Sequence, residues 1–152
     1  MRIEEEIKQT KAFKSEFHKL MLNLAFTGSW FNSVMSEILR SFDISHPQFN
    51  VLRILKGKYP DSYCNLEIIQ RMIDKSSNVT RIIDKLLDKN LVIRNENPEN
   101  RRQVNICITE KGLALLNEIE SSANFEKLKN INFNEEKARL MNQWLDEIRD
   151  LI

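Results

Sequence analysis

Two short polar segments hold the side chains that could bind a phosphate or read a base. Residues 74–81 carry small polar residues and cations at what the pattern predicts to be a helix start, and residues 97–102 end in paired arginines. Small polar side chains at a helix start can approach base edges, and arginines at a hairpin tip can reach phosphates or a narrow groove. The candidate nucleic-acid contacts are Lys75, Ser76, Ser77, Asn78, Thr80, Arg81, Arg94, Asn100, Arg101 and Arg102.

Residues suited to catalysis or metal binding are few and scattered. A metal site needs several His, Cys or carboxylate ligands at suitable spacing, whereas this chain has two His and two Cys far apart. It has no phosphate-binding glycine loop, and its three glycines could hardly build one. We therefore predict no metal, no cofactor and no catalytic residue, and an enzyme ranks third among the possible functions.

Length and composition indicate one globular domain in the cytoplasm. The 152 residues are 41% hydrophobic and 30% charged, enough for a proper core. No apolar run approaches a membrane span and no export signal is visible, so we expect no membrane partner. Cys64 and Cys107 lack CxxC spacing, and we interpret them as ordinary small residues in a reducing compartment, with a redox role left open.

The charges are unevenly distributed although the net charge is only +1. Residues 71–111 carry nine Lys/Arg against six Asp/Glu, and residues 112–152 carry five against eight. A basic middle and an acidic tail fit a localised nucleic-acid face. Ordinary solvated helix faces explain a difference this small almost as well.

Hydrophobic spacing predicts helices in the first half of the chain. Residues 4–41 show helical periodicity throughout, with Gly28 and Ser29 as a candidate break. Ser45 and Gln48 fit a capping box at the start of the next helix, which ends between residues 57 and 60.

Cap residues and alternation predict the remaining elements. Residues 91–94 and 104–109 read as two strands of a hairpin that must pack on helices to be stable. A polar stretch at 121–124 weakens the helical pattern near the C-terminus. Further helices are predicted to be capped by Asn65, Asp74, Thr109 and Asn134, with Asn90 as a stop.

The order of these elements and four local segments resemble the MarR family of bacterial transcription regulators. The segments are residues 44–52 (ISHPQFNVL), 77–86 (SNVTRIIDKL), 97–102 (NPENRR) and 108–112 (ITEKG). The resemblance covers nearly the whole chain, and the wing followed at once by the Thr-Glu-x-Gly helix start is its most specific part. It implies a mainly α fold with a small β-hairpin wing, that is, a winged helix-turn-helix with N- and C-terminal dimerisation helices.

The family plan implies a domain organisation for this chain. Residues 1–152 would form a single domain, in which 1–42 and 113–152 supply the dimerisation helices and 45–112 form the winged helix-turn-helix lobe. Family members are dimers whose first and last helices interlock. The candidates for burial there are Trp30, Phe31, Trp144 and Leu145, although an intrachain core is an equal alternative for each.

Two positions depart from the family pattern. The family often has glycine in the helix-turn-helix turn, where this chain has Ile73 and Asp74. It commonly has aspartate at the position of Asn100, where the carboxylate would hold the arginine at Arg102 by a charge-assisted bond. Asn100 can still accept a hydrogen bond, and the turn must close without a glycine.

The resemblance implies a dimeric, sequence-specific DNA-binding transcriptional regulator, a repressor released by a small-molecule effector. Helix 75–89 would lie in the major groove, where Asn78 could read adenine and Arg81 guanine, or either could contact phosphate. Arg101 and Arg102 would reach the minor groove or backbone, with Lys75 and Arg94 as lesser phosphate contacts.

A small aromatic or phenolic effector would bind between the dimer helices and the DNA-binding lobe. The candidate pocket is lined by Phe26, Trp30, His46, Phe49 and Arg53, for most of which ordinary packing is the stronger alternative. The alternative function is a winged-helix protein-interaction scaffold without DNA binding. The polar start of helix 75–89 argues against it, since a protein-binding surface would more often expose aromatics there.

Overall fold

A computed structural model describes residues 1–96 and 104–151, which are mainly helical with one small antiparallel sheet. Among these residues, no helix is long and apolar enough to cross a membrane. The predicted mainly α class with a small β wing is confirmed. In chain order the elements are α1 Ile3–Glu6, α2 Glu16–Arg40, α3 His46–Lys56, β1 Tyr63–Cys64, α4 Asn65–Arg71, α5 Val79–Asp88, β2 Val92–Glu96, β3 Val104–Ile108, α6 Glu110–Glu120, α7 Ala123–Lys129 and α8 Glu135–Asp150.

The N-terminal region differs from the helix predicted over residues 4–41. The short α1 ends at Glu6, and α2 begins only after Ser15, whose hydroxyl accepts a hydrogen bond from the His18 N–H at 3.1 Å. α2 then continues through Gly28 to its end, so the predicted break there is wrong. A helical glycine costs only about 1 kcal/mol relative to alanine, which a long helix tolerates.

α3 begins and ends where the sequence predicts. The Ser45 hydroxyl accepts from the Gln48 N–H at 3.4 Å, and Gln48 Oε1 accepts from the Ser45 N–H at 2.8 Å, which completes the capping box. The helix ends before Gly57. Four of its apolar residues are buried and form the centre of the lobe core: Phe49, Val51, Leu52 and Leu55.

Two of the predicted helix caps are wrong. Cys64, not Asn65, is the cap of α4, and its N–H donates to Glu67 Oε2 at 2.8 Å. Asn78, not Asp74, is the cap of α5, so the predicted helix 75–89 is shorter at its start. Asn65 directly follows the true cap of α4 and Asp74 lies four residues before the true cap of α5, and both are residue types that commonly cap helices.

The sheet has the order β1-β3-β2, with both pairings antiparallel. The predicted hairpin is confirmed, and its register runs from the Val92–Ile108 pair to the Glu96–Val104 pair. The additional strand β1 pairs Tyr63 with Ile106 and was not predicted, because two residues are too few to show alternation. The hairpin is therefore supported by a third strand, β1, as well as by the helices on which it packs.

The junction between the hairpin and α6 is tightly packed. Thr109 Oγ1 accepts from the Gly112 N–H at 3.1 Å, which confirms Thr109 as a helix cap. A Cβ at Gly112 would overlap the Leu91 carbonyl oxygen and the Ile108 side chain. Asn90 has a φ of 57°, and the predicted stop of α5 therefore stands at a left-handed residue.

The chain divides into two compact units, Met1–Ile119 and Glu120–Ile152. The second contains α7, which the polar stretch at 121–124 hid in the sequence and which Ser122 caps. It also contains α8, where Asn134 is the cap as predicted and its side chain accepts from the Lys137 N–H at 2.9 Å. No residue described in α8 is buried.

Candidate nucleic-acid interface

Asp74 organises the turn between α4 and α5. Its Oδ1 accepts from the hydroxyl and the N–H of Ser76 at 2.6 and 2.9 Å, and its Oδ2 accepts from the Ser77 hydroxyl at 2.8 Å. The hydrogen bonds from Ser76 and then Ser77 lower the pKa of the Asp74 carboxyl. The turn therefore closes without a glycine, and both serine hydroxyl protons are used within it.

Asn78 fixes the start of α5 at Val79. Its Oδ1 accepts from the Arg81 N–H at 3.1 Å. Reading adenine would use both the oxygen and the nitrogen of an asparagine amide. Bidentate adenine recognition by Asn78 would therefore have to share Oδ1 with the Arg81 N–H, whereas its Nδ2 group is not used by the cap.

α5 separates into a buried side and a polar side. Val79, Ile83 and Leu86 are buried, as the spacing predicts. The polar side consists of exposed residues, namely Thr80, Arg81, Asp84 and Lys85. Within the described part of the chain, neither Arg81 nor Lys85 forms an ion pair, so both charges are available to an anionic partner.

Two other predicted contacts already have partners. Arg94 Nη2 lies 2.6 Å from Asp84 Oδ1, which links β2 to the polar side of α5. The Lys75 ammonium donates to the Gln70 carbonyl oxygen at 2.5 Å. Sequence reasoning missed the Asp84–Arg94 pair, because no local spacing relates a helix residue to a strand residue ten positions later.

The predicted wing contacts Asn100, Arg101 and Arg102 lie outside the described residues. β2 and β3 flank them and are in register up to the Glu96–Val104 pair.

The predicted effector pocket is brought together only in part. His46 lines a cavity of about 170 Å³ together with Asn32, Asn50 and Ile73. Its Nδ1 lies 3.0 Å from Asn32 Oδ1, and partial burial lowers its pKa.

The other predicted pocket residues do not line that cavity. Phe49 is a buried core residue, and the Arg53 guanidinium lies 5.9 Å from its ring centre. Phe26 and Trp30 are exposed on α2. The pocket as a whole stays a prediction.

The described residues contain no cluster of His, Cys, Asp or Glu that could hold a metal ion. Cys64 and Cys107 are both free thiols. Burial, together with the nearby Asp61 carboxylate, raises the pKa of the Cys107 thiol. A raised pKa disfavours the reactive thiolate, which argues against a redox role for Cys107.

Comparisons with known proteins agree with this geometry. Residues 44–104 match the MarR family. The chain is 28% identical over 134 residues to the HTH-type transcriptional regulator MhqR of Bacillus subtilis (strain 168), covering 86% of this chain and 89% of that protein.

Two solved structures share the fold over most of their length. The MarR transcription factor from Planctomyces limnophilus has 31% sequence identity and a TM-score of 0.64, with 92% of this chain and 95% of that chain covered. The S. aureus MepR–DNA complex has 19% identity and a TM-score of 0.75, with 93% and 100% covered. The winged helix-turn-helix prediction is confirmed, and these relatives are regulators rather than enzymes. This chain belongs to the MarR family.

Proposed function

We propose that this protein is a dimeric, sequence-specific DNA-binding regulator that acts as a repressor in the cytoplasm. The observation that carries the proposal is the polar side of α5. Thr80, Arg81 and Lys85 are exposed there, and the Asp74 turn and the Asn78 cap hold the start of the helix in place. Such a helix can enter the major groove, with its first turns towards the base edges.

The contacts divide into positioning and reading roles. Ser76 and Ser77 lie in the turn, where backbone and side-chain groups can approach phosphates. Arg81 is the strongest candidate for reading a base, because its guanidinium has no ion-pair partner in the described chain and guanine offers two acceptors. Lys75 and Arg94 are lesser phosphate contacts, and the MepR–DNA structure supports this use of the fold.

The dimer is proposed from exposed apolar residues outside the lobe. On α2, Phe17 and Trp30 are 57% and 52% exposed, and on α8 Trp144 is 56% exposed. Large exposed apolar surfaces mark interaction sites, and the simplest partner is a second copy. In this organisation residues 1–42 and 113–152 form the dimer, and 45–112 form each DNA-binding lobe.

The two-fold symmetry of the proposed dimer predicts the symmetry of the operator sequence. A symmetric dimer presents two copies of α5, so its site should be a pseudo-palindrome with half-sites separated by about one helical turn. Selection from random duplex DNA at two salt concentrations tests this directly. An enriched inverted repeat supports the proposal. Weak, salt-sensitive binding without enrichment would favour the protein-scaffold alternative.

The wing arginines should add DNA contacts that flank the major-groove contacts of α5 and so increase DNA affinity. Replacing Arg102 by alanine should weaken DNA binding by ~1–3 kcal/mol, the range for the loss of a good arginine contact. Fluorescence anisotropy at fixed salt measures the change, with Arg149→Ala on α8 as the matched control. An unchanged Kd for Arg102→Ala would contradict the wing assignment.

A small aromatic or phenolic effector is the proposed signal for release. The site of Phe26, Trp30, His46, Phe49 and Arg53 would lie beside α2, so a second protomer could complete it. An effector acts only if it binds the DNA-competent and incompetent forms with different affinity. Thermal shifts with a panel of aromatic acids test this, and the absence of any shift would count against an aromatic effector.

A further inference from the structure

The C-terminal end of α5 is closed by local backbone hydrogen bonds. Asn90 is left-handed, and its N–H donates to the Leu87 carbonyl oxygen at 2.8 Å. The Leu91 N–H donates to the Leu86 carbonyl oxygen at 3.0 Å, which completes a Schellman motif. Because the motif uses the carbonyl groups inside the last turn, those of Lys89, Asn90 and Leu91 remain as acceptors for other elements.

Two residues at the start of α6 supply the donors for these three carbonyl groups. The Thr109 hydroxyl donates to the Asn90 carbonyl oxygen at 2.9 Å, and the Lys111 ammonium donates to the Lys89 carbonyl oxygen at 2.8 Å. The Thr109 N–H donates to the Leu91 carbonyl oxygen at 3.1 Å. The helix dipole also favours a lysine cation beside the C-terminal end of a helix. Three consecutive carbonyl groups after α5 are therefore bound to the start of α6.

The contact between α6 and the turn after α5 is also closely packed. The Thr109 hydroxyl accepts from the Gly112 N–H, so one side chain both caps α6 and binds the turn. A Cβ at Gly112 would lie 2.4 Å from the Leu91 carbonyl oxygen, and only glycine allows this approach. Close packing and three hydrogen bonds leave α6 little freedom to rotate relative to the end of α5.

A second contact joins the end of α5 to the loop between α2 and α3. The Lys89 Nζ lies 2.8 Å from Asp43 Oδ2, and it also donates to the Asp43 carbonyl oxygen. The Asp43 side chain is 96% exposed, and an ion pair in contact with water contributes little to stability. The contact with α6 is therefore the more important of the two connections at the end of α5.

The two ends of α5 therefore have different connections. The hydrogen bonds described above at its start are formed within residues 74–81, whereas its end is bound to α6. α6 leads into residues 113–152, which the proposed organisation assigns to the dimer. We propose that Thr109 and Lys111 are positioning residues for DNA recognition, which fix the direction of α5 relative to α6 and so set the distance between the two α5 helices of the dimer. This inference rests on the dimeric DNA-binding function proposed above.

The expected consequence is a strict spacing between the two half-sites of the operator. One inserted base pair moves a half-site by about 3.4 Å and rotates it by about 35° around the DNA axis. A dimer whose α5 helices are held in place should bind the lengthened site about tenfold more weakly or worse, because one α5 loses its contacts. Fluorescence anisotropy gives the spacing ratio, defined as the Kd for the lengthened site divided by the Kd for the selected operator.

Variants of the two positioning residues should lower the spacing ratio. Thr109→Val removes the hydroxyl at nearly constant volume and should lower the ratio about two- to tenfold, the range for one net hydrogen bond. Thr109→Ser keeps the hydroxyl and should retain the wild-type ratio. Lys111→Met keeps an unbranched side chain without its ammonium and should also lower the ratio. Lys58→Met is the matched control, because it removes one cation that lies 3.7 Å from Glu67 within the lobe.

The spacing ratio separates a positioning role from folding stability. A variant that is only partly folded has fewer active molecules, which lowers its apparent affinity for both DNA sites by the same factor and leaves the ratio unchanged. A lower ratio in Thr109→Val and Lys111→Met, restored in Thr109→Ser, would support the proposal. An unchanged ratio in both variants would overturn it.

The position of α5 can also be measured without DNA. A spin label on p-acetylphenylalanine, introduced in place of the exposed Lys85, gives the distance between the two labels of a dimer by double electron–electron resonance. The distance distribution should be narrow with Thr109 or Thr109→Ser and broader with Thr109→Val or Lys111→Met. Equal widths, or a protein that is monomeric, would overturn the positioning role. If the purified protein selects no DNA sequence, the proposed function fails, and the widths still decide whether Thr109 and Lys111 hold α5.

Discussion

α2 and α5 are both amphipathic helices, yet they use their apolar residues in opposite ways. α5 buries Val79, Ile83 and Leu86 inside its own lobe. α2 leaves Phe17 and Trp30 more than half exposed to solvent. The comparison teaches that one chain completes the core under α5 but leaves the apolar surface along most of α2 uncovered.

The boundary between these two behaviours lies within α2 itself. Its only buried residues are at its C-terminal end, namely Met35, Ile38 and Leu39, where it meets α3. The turns before Met35 carry aromatic and aliphatic side chains without a buried position. The last turns of α2 therefore belong to the lobe core, and the earlier turns extend an apolar surface that a second protomer would cover.

The largest expected effect comes from placing a charge on this exposed surface. Trp30→Glu should abolish the dimer at concentrations where wild type is dimeric. Aromatic anchors contribute about 2–4 kcal/mol to interfaces, and a buried unpaired carboxylate adds a further cost. Analytical ultracentrifugation measures the mass, and DNA binding should fall with it because both half-sites are no longer occupied together.

The matched control places the same charge on an exposed apolar residue of the lobe. Leu66 on α4 is 62% exposed, so Leu66→Glu should leave the dimer intact. The proposal that α2 exposes its apolar residues for a second protomer would be wrong if the wild-type protein sediments as a monomer. It would also be wrong if the Trp30→Glu variant remains a dimer.

The next effect compares two glycines, one in each region. Gly112→Ala should destabilise the fold by about 1–3 kcal/mol, because the new methyl group overlaps the Leu91 carbonyl and the Ile108 side chain. Gly28→Ala meets no atom within 4 Å and should stabilise α2 by up to about 1 kcal/mol. Urea unfolding of both variants measures the difference. If Gly28→Ala proves as damaging as Gly112→Ala, a neighbour from a second chain must lie against Gly28.

Much of the lobe was predictable because its signals are local. The capping box at Ser45, the alternation along β3 and the Thr109 cap each depend on residues within a few positions of one another. These signals located α3, the hairpin and α6 correctly. The division of α5 into a buried side and an exposed polar side followed from simple helical periodicity.

The errors arose where several residues could give the same signal or where partners are distant. Asp74, Asn78 and two serines can all cap a helix, and only the folded turn shows that Asp74 binds the serines while Asn78 caps. The Asp84–Arg94 pair depends on packing between a helix and a strand. No periodicity in the sequence encodes such contacts.

Helix caps offer a smaller test of the same comparison. Asn78→Ala removes the cap of α5 and Ser15→Ala removes the cap of α2, and each should cost about 1 kcal/mol of folding stability. Only Asn78→Ala should weaken DNA binding, and it should do so uniformly across sequences, because the cap positions the helix. A relaxed preference at one base pair would instead show that Asn78 reads a base, and Asn78→Asp, which keeps the cap, would then lose the same preference.

The smallest effect concerns the surface ion pair that links α5 to β2. Asp84→Asn should change folding stability by roughly 0.5 kcal/mol, since exposed pairs contribute little. It also releases Arg94 and removes an acidic group from the proposed DNA face. Binding should therefore tighten, and its salt dependence should steepen by about one released counterion.

The comparison pair for this test lies on α8, where Glu136 binds Arg139. Glu136→Gln should leave both DNA affinity and its salt dependence unchanged, because α8 lies outside the proposed DNA-binding lobe. A weaker Asp84→Asn complex with an unchanged salt slope would mean that the pair acts by holding the wing in place. In that case Arg94→Gln should weaken DNA binding as well, since either substitution breaks the link. If Arg94 instead contacts a phosphate once it is released, Asp84→Asn should tighten DNA binding and Arg94→Gln should weaken it.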